Sequence, residues 1–427
     1  MVRHRIRFAD VLAVTLSASL GAQVPWGHAL MSNVNNAAPM EGLLLVDRAG
    51  SATPITGLLS NGFPSRNVPV ARIDPWDGRI WLGGPAFTTT RLHRAELVGT
   101  TIVNPTQMAV INVVSGTQAL ALDLNGNAIV TSDNGMVPFG GPNAGGGLFR
   151  VDRHTGAVTR LIGGTYNWPF GHYGGINEVV TDDSGNLWFA VTSDGSIPGR
   201  IYRLAPGANG DYATTPTLVF AVPSPASAGN VGSIDWVPAR GARPERLWFT
   251  TGGSTGPYVG YYENGTVQFV SGVGVHAAIE HDAIADDFWL LATDPDEVRR
   301  MDHAGNVSTV VQVPPHGVNG TPSSIDVHDG VVARTLLVPQ FVPAAGTFDL
   351  EICTTCPPGH LGVVVMVAPA SGTFVLGTAG ADGRIRTRLQ GLSFARGVPG
   401  SITLLSACLD PATATLQIGE PLLWPRN

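Results

Sequence analysis

Charged residues are scarce in this chain: only 13% of its 427 residues are Asp, Glu, Lys or Arg, and the formal net charge is −7. No basic cluster occurs, which argues against a nucleic-acid partner because such partners are bound by clustered Lys and Arg. Long apolar runs are missing as well. The longest has about ten residues, whereas a membrane-spanning helix needs about twenty. We therefore expect no membrane span.

Several signatures of catalysis are also absent. No Gly-x-Ser-x-Gly elbow occurs, and the Gly-rich segment near Gly140 is not followed by a Lys-Ser or Lys-Thr pair. Asp-x-x-Gly-Asn turns resemble fragments of calcium-binding loops, but none has the complete acidic spacing that ends in Glu. The sequence thus gives no support for a serine hydrolase or a phosphate-binding loop.

Cysteine is limited to Cys353, Cys356 and Cys408, all in the last quarter of the chain. The Cys-Thr-Thr-Cys spacing lacks the βαβ setting of a redox motif and the second ligand pair of a zinc site. In an exported chain we expect one disulfide, between Cys408 and either Cys353 or Cys356, with one thiol left over.

The N-terminus has the pattern of an export signal. Three arginines precede a mostly apolar stretch, Val11 to Leu20, and Leu20-Gly21-Ala22 ends in small residues. We predict a signal peptide over residues 1–22; the alternative is a buried N-terminal helix. The mature protein is then expected to be secreted, periplasmic or at the cell surface.

Glycine (54) and proline (32) are abundant, which favours many short strands joined by turns. A repeated unit of strand, polar turn and strand carries six marker aspartates and, in four copies, a tryptophan. The aspartates are Asp74, Asp123, Asp182, Asp235, Asp282 and Asp326, and the tryptophans are Trp81, Trp188, Trp248 and Trp289. The spacing is near that of a four-stranded propeller blade, about 40–50 residues. We expect the tryptophans to pack between blades.

A second hairpin type alternates with the first, also in six copies. The chain begins with the second type near Leu43 and ends with the first type, in SIDVHDGVVARTLLV. The first and last half-units should therefore combine into one blade, which leaves no free edge. The prediction is an all-β chain with a six-bladed β-propeller over residues 23–338; a seventh blade would require one degenerate copy.

The segment around Asp182 to Leu204, with its DSGNLWF and GRIYRL runs, resembles the streptogramin-lyase and NHL-type propellers. It is also similar to the gluconolactonase propellers. The resemblance covers roughly residues 40–340 and concerns hairpins, so it implies a fold more than a chemistry.

After a linker over residues 339–346, short alternating strands separated by Pro and Gly turns predict a small β-sandwich over residues 347–427. The run with Asp382-Gly383-Arg384 and Pro399-Gly400 resembles a C-terminal sandwich of exported planctomycete proteins. This resemblance implies an accessory or surface-associated module.

Propellers usually bind ligands where their innermost strands begin, around the central channel. The polar residues predicted there include Asn67, Gln118, His172, Asn177, Asn230, His276 and Asn319, and Glu178 and Glu280 lie nearby in sequence. Oxygen and imidazole donors suit Ca²⁺, Mg²⁺ or Mn²⁺, and the lyase and lactonase resemblance implies a divalent ion in this region.

The metal hypothesis uses His172, His276 and Glu280 as ligands. The alternative for Glu280-His281-Asp282 is a solvated turn with a satisfied histidine.

An aromatic loop, GGTYNWPFGHYGG, contains Trp168, His172 and Tyr173. Aromatic rings with amides suit sugars or other flat ligands, although the rings could instead pack into blade contacts.

The sequence favours an exported binding or scaffold protein that recognises a small molecule, glycan or partner protein at its channel face. The alternative is a metal-dependent lyase or lactonase, in which a divalent ion polarises a carbonyl and a histidine or glutamate moves a proton. An amide-only channel would favour binding, and histidines converging with a carboxylate would favour the enzyme.

Overall fold

The computed structural model places most of the residues that it describes in β-strands joined by turns. The residues it describes are 24–25, 27–34, 41–84, 90–111, 117–132, 147–162, 176–191, 198–207, 211–213, 215–223, 230–252, 258–270, 273, 278–293, 296–312, 321–327, 335–338, 348–368, 372–379, 383–392, 401–418 and 422–425. Every regular element in these ranges is a β-strand. The predicted signal peptide lies outside them.

Six antiparallel sheets of four strands each occupy the unit Ala22–Gly330. Five are formed by consecutive strands. Blade 1 has β4 (Val70–Ile73), β5 (Ile80–Gly83), β6 (Thr90–Val98) and β7 (Thr101–Ile111); blade 2 has β8 (Thr117–Leu122), β9 (Ala128–Ser132), β10 (Gly147–Val151) and β11 (Val158–Ile162); blade 3 has β12 (Ile176–Thr181), β13 (Leu187–Val191), β14 (Arg200–Leu204) and β15 (Thr217–Ala221). Blade 4 has β16 (Asn230–Val237), β17 (Arg246–Gly252), β18 (Tyr258–Glu263) and β19 (Thr266–Val270); blade 5 has β20 (Ala278–Asp282), β21 (Asp287–Thr293), β22 (Asp296–Met301) and β23 (Val307–Gln312).

Blade 6 joins the two ends of this unit. Its strands are β24 (Thr321–Val327), β1 (Ala29–Val34), β2 (Leu43–Val46) and β3 (Ala52–Pro54), in that order. The innermost strand therefore comes from the end of the unit and the outer three from its beginning. The predicted combination of first and last half-units is confirmed, and no blade is left with an unpaired closing edge.

One detail of that prediction was wrong. The repeat assigns Thr335–Val338 to the last propeller hairpin, but this strand, β25, pairs with β26 (Phe348–Thr355). Its expected place beside β24 is taken by β1, whose Leu30 and Met31 lie opposite Asp326 and Ile325. Because Leu30 and Met31 are fully buried, β1 completes the blade as a core strand that the repeat pattern did not reveal.

The six innermost strands contact one another in a closed ring, in the order β4, β8, β12, β16, β20, β24 and back to β4. A closed ring of radially arranged four-stranded sheets is a β-propeller. The six-bladed architecture predicted from the repeats is therefore the fold of this unit.

A recurrent Asp–Trp–Arg motif holds the hairpins together. In blade 5, Trp289 Nε1 donates to the Asp282 carboxylate at 3.1 Å, and Arg300 binds that carboxylate at 3.1 Å while lying 4.5 Å from the indole centre. Blade 1 repeats this with Asp74, Trp81 and Arg94. The carboxylate thus satisfies two buried donors, and the guanidinium adds a cation–π contact.

The marker aspartates fall into two structural classes. Asp74, Asp123, Asp182 and Asp282 accept backbone hydrogen bonds at the first turn of their blades, as expected for Asp-turns. Asp235 and Asp326 instead lie within the innermost strands, paired with Trp248 and Leu30. In the sequence repeat, the Ser-Ile-Asp runs align these two aspartates with the turn aspartates of the other blades. In the structure they lie two residues earlier in the blade than those turn residues.

The second compact unit contains Val331–Asn427. It has a three-stranded sheet, β25–β26–β29, and a five-stranded sheet built on β27 and β30. The β-sandwich over residues 347–427 stays a prediction. The remaining strands are β27 (Leu361–Ala368), β28 (Gly372–Thr378), β29 (Arg384–Leu392), β30 (Ser401–Leu409), β31 (Leu416–Ile418) and β32 (Leu422–Pro425).

One disulfide links Cys356 to Cys408, with their Cα atoms 5.6 Å apart. Of the two pairings left open by the sequence, this is the one formed. Cys353 is not part of this disulfide and is buried.

Candidate functional site

The innermost strands bring six equivalent positions to the ring's centre. Each of these residues lies opposite the same position of the second strand of its blade, the position that is a tryptophan in four blades. This strand pairing identifies the six residues without a sequence alignment. The residues are Arg72, Ala121, Val180, Asp235, Glu280 and Asp326. Four of the six are charged, although the chain as a whole is poor in charge. We call these six residues, together with Glu178, the channel site. Glu178 lies two residues before Val180 in β12 and therefore on the same side of that strand.

Arg72 lies at the centre of the channel site and contacts three other blades. Its Nη1 binds Glu280 Oε2 at 2.7 Å and Asp326 Oδ1 at 3.1 Å, while its Nε donates to the Leu120 carbonyl at 2.9 Å. The Arg72 side chain is only 13% exposed. A guanidinium suits this place because its planar donors reach acceptors in several directions.

Two further carboxylates lie in the channel. Asp235 accepts backbone hydrogen bonds from Trp236 at 2.8 Å and from His281 at 2.6 Å, which ties blade 4 to blade 5. Glu178 hydrogen-bonds Ser233 and is close enough to Arg72 and Asp235 to respond to their charges. The channel site therefore has four carboxylates and one guanidinium.

Burial makes these carboxylates unusually basic. Desolvation raises the pKa of Glu178 to about 7, against the attraction of Arg72 and with a further increase from Asp235. Desolvation likewise raises the pKa of Asp235 to about 7 and that of Glu280 well above its ordinary value. Carboxylic acids that titrate near neutrality are typical of functional sites, although structural networks also produce them.

Asn177 adds an acceptor beside this cluster. Its side-chain NH₂ donates to the Val231 carbonyl of the neighbouring blade. Its Oδ1 is buried and has no hydrogen-bond partner among the described residues. An unpaired buried acceptor is unfavourable by itself and is satisfied when a donor or cation is bound.

The predicted site residues have different outcomes. Asn177 and Glu280 lie on innermost strands, and Glu280 belongs to the channel site; Asn230 begins β16. Trp168, His172, Tyr173, His276 and Asn319 lie outside the described residues. The aromatic platform and the metal set of His172, His276 and Glu280 therefore stay predictions.

Sequence reasoning missed Arg72, and it treated Asp235 and Asp326 as turn residues. The strand alternation of VARI, SID and IEHD was visible, but the position facing the channel could not be chosen without the register. The Trp in the following strand would have supplied that register, because each channel position pairs with it or its equivalent.

The site's chemistry follows from its atoms. Carboxylate oxygens and the Asn177 oxygen are acceptors, and the single guanidinium is already bound to Glu280 and Asp326. Oxygen-rich, negatively charged sites suit hard divalent cations or the ammonium groups of organic ligands. A neutral ligand could use the same acceptors only by donating hydrogen bonds.

No protein-family model matches the chain, and no curated protein sequence matches it. Among solved structures it is similar to a streptogramin B lyase, with 14% identity over 71% of this chain and 88% of that one, at a TM-score of 0.42. It is also similar to the Dos1 propeller, with 10% identity over 87% and 96% of the chains and a TM-score of 0.40.

A further similarity is to the hydrazine synthase of Kuenenia stuttgartiensis, at 10% identity over 93% of this chain and 68% of that one, with a TM-score of 0.41. Among the described residues, no helix is long and apolar enough to cross a membrane. These likenesses accompany a propeller fold that the six sheets and their closed ring establish on their own.

Proposed function

We propose that this chain is a binding protein whose β-propeller holds a small cation, either a divalent metal ion or an organic ammonium group, in the channel site. The observation that carries the proposal is the excess of acceptors: four carboxylates face one guanidinium. A bound cation would stabilise the ionised forms of Glu178 and Asp235, which burial otherwise keeps partly protonated. The partner class is thus narrowed from any ligand, glycan or protein to one that presents a compact positive charge.

Calorimetric titration of the full chain tests this proposal. The probes are CaCl₂, MgCl₂, MnCl₂ and 1,4-diaminobutane, with cellotriose as a neutral control. We expect one of the cations to bind and to release protons at pH 7, because a positive charge lowers the raised pKa values of Glu178 and Asp235. Repeating the titration in buffers of different ionisation enthalpy measures the protons released.

Glu178→Gln is the informative variant, and Glu96→Gln is its control on an outer strand of blade 1. We expect Glu178→Gln to weaken cation binding at least about tenfold, equivalent to about 1.4 kcal/mol, and Glu96→Gln to leave it unchanged. Absence of binding by every cation, or equal binding by Glu178→Gln and the wild type, would refute the proposal.

Catalysis is the second candidate, favoured by one observation: the pKa of Glu178 is about 7. A general base works best when its pKa is near the working pH, and it contributes about 10²–10⁴-fold to a rate. The reaction would be the elimination or lactone hydrolysis that the family resemblance implies, tested with streptogramin B and gluconolactone. Turnover that is lost in Glu178→Gln would favour an enzyme, whereas cation binding without turnover would leave the binding function.

A further inference from the structure

Blade 4 departs from the Asp–Trp–Arg motif, and an unusual cluster lies at that departure. Trp248 keeps the Trp position, but Val237 stands where blade 5 has Asp282, and Tyr261 stands where it has Arg300. The Trp248 Nε1 consequently has no hydrogen-bond partner among the described residues. Next to this indole lies His303, with its ring centre 6.0 Å away. The Asp–Trp–Arg motif therefore does not account for the residues around His303.

Two histidines and one aspartate converge there. His281 Nε2 is 3.1 Å from Asp286 Oδ1, and His303 Nε2 is 3.3 Å from the same oxygen. All three ligand atoms lie within 4.8 Å of one another. Because zinc–nitrogen and zinc–oxygen bonds are about 2.0–2.2 Å long, the edges of a zinc tetrahedron are about 3.3 Å. The two measured separations are close to those edges.

Different parts of blade 5 hold the three side chains. His281 is in β20, Asp286 is in the turn that leads to β21, and His303 is in the turn between β22 and β23. The Asp286 backbone has φ of +57°, and its N–H donates to the Asp282 carbonyl at 2.7 Å. His281 has a side-chain exposure of 6%, whereas Asp286 is 31% exposed. The cluster is thus anchored in the blade and open on the Asp286 side, where a fourth ligand can enter.

Arg243, an arginine of blade 4, already contacts two members of this cluster. Arg243 Nη1 lies 2.8 Å from Asp286 Oδ1 and also contacts His303 Nε2. Its own Nε and Nη2 are buried without hydrogen-bond partners among the described residues. Since those two donors are unsatisfied where they are, moving the guanidinium into solvent recovers their hydration. Arg243 therefore places a positive charge beside Asp286, but this placement is unfavourable because two of its own donors are buried without hydrogen bonds.

We propose that His281, Asp286 and His303 bind a transition-metal dication of the Zn²⁺ class, and that Arg243 leaves the cluster when the metal binds. Two imidazoles and one carboxylate form a ligand set for such ions, with open positions for water or a ligand. This site is distinct from the channel site because His281 follows Glu280 in β20, and consecutive residues of a strand point to opposite faces. Its nitrogen ligands also select a different class of metal from an all-oxygen site.

The test is titration of the full chain with ZnCl₂, together with Co²⁺ as a spectroscopic probe whose visible absorption reports nitrogen and oxygen ligation. We expect one Zn²⁺ per chain, a rise in melting temperature on binding, and at least tenfold weaker binding in His303→Ala and His281→Ala. Arg243→Met, which keeps the length and removes the charge, should bind Zn²⁺ at least tenfold more tightly than the wild type.

The opposite directions of these effects separate a metal site from a merely structural cluster. Glu178→Gln, the variant that tests the channel proposal and lies on blade 3, should leave Zn²⁺ binding unchanged, so failure of the channel proposal and failure of this one are distinguishable. If His281→Ala does not fold, His303→Ala and Arg243→Met still decide. The proposal is overturned if neither the wild type nor Arg243→Met binds Zn²⁺ stoichiometrically, or if Arg243→Met binds no more tightly than the wild type.

Discussion

Glu178 and Asp235 place two acids of pKa about 7 inside one channel. In both cases desolvation outweighs the attraction of Arg72. The free energy of unfolding therefore falls as the pH rises, because the folded chain holds protons that the unfolded chain releases at a lower pH. The channel therefore couples the charge of a few side chains to the stability of the unit that contains them.

The first prediction concerns the pH dependence of stability. The folded pKa of Glu178 is about 7 against 4.5 unfolded, so its contribution is complete below pH 4.5 and is lost as pH rises through 7. Glu178→Gln cannot ionise, and we expect it to be more stable than the wild type at pH 8 by about 1–3 kcal/mol. Urea unfolding at pH 5 and pH 8 measures this. Equal destabilisation at both values would contradict the assignment, and Glu96→Gln should show no such pH-dependent difference.

At this scale the sequence predicted little of the site. Glu280 was identified as a ligand candidate, but its partner Arg72 was not, because a lone arginine in the VARI strand gives no local signal of where it points. The cysteines were predicted better, since only Cys353 and Cys356 could pair with Cys408. The choice between them depended on strand geometry: Cys353 is paired in register with Leu336 and Arg386, whereas Cys356 lies just beyond the strand end.

The Asp–Trp–Arg motif works at the scale of the hairpin. Asp282 is fully buried and serves Trp289, Arg300 and Arg48, the last with oxygen–nitrogen distances of 2.5 and 2.6 Å. It also accepts the Ile284 N–H at 2.9 Å, which closes the turn. One carboxylate thus stabilises the first hairpin of blade 5. It also binds Arg48, which lies in the turn between β2 and β3.

Asp282→Ala is the second prediction. Removing this acceptor leaves the buried Arg300 and Trp289 donors without it, and breaking a buried ion pair in this way costs about 3–5 kcal/mol. The matched control is Asp302→Ala, an exposed turn aspartate that binds Asn306 in the same blade. We expect the control to change the melting temperature much less, as measured by thermal unfolding. Equal effects would show that the motif is not a stabilising unit.

Hairpins were the most predictable elements. Turn residues and alternating apolar positions placed most of the propeller strands, because both signals are local. Strands β1 and β25 were assigned wrongly or missed, since ALMSNV and TLLV carry no turn signal that says which neighbour they join. Their partners are chosen by long-range pairing that a repeat pattern does not contain.

Ring closure is a property of the whole propeller. It depends on β1 pairing with β24, strands that lie nearly 300 residues apart in sequence, and Ser32 Oγ and Ser324 Oγ meet there at 2.6 Å. Thus β1 binds β24 on one side and β2 on the other. Opening this pair would expose two strand edges at once.

A disulfide across this pair is the third prediction. Ser32→Cys with Ser324→Cys joins register partners, and closing so long a loop should stabilise the propeller by about 3–5 kcal/mol. Thermal unfolding with and without dithiothreitol measures the gain, compared with the wild type under both conditions to subtract the native Cys356–Cys408 bond. A double variant that oxidises without any gain would show that closure does not limit stability, and single Ser32→Cys is the control.

The arrangement of blade 6 also determines the order in which the chain can be completed during synthesis. Strand β1 precedes all five other blades in the chain, whereas its inner partner β24 follows them, so β24 is synthesised only after those blades. Until then the nascent chain carries an unpaired, apolar strand edge, the kind of surface that associates with other chains. A chain kept unfolded until it is released whole would avoid that period, whereas one that folds as it emerges would need a chaperone to cover Leu30 and Met31.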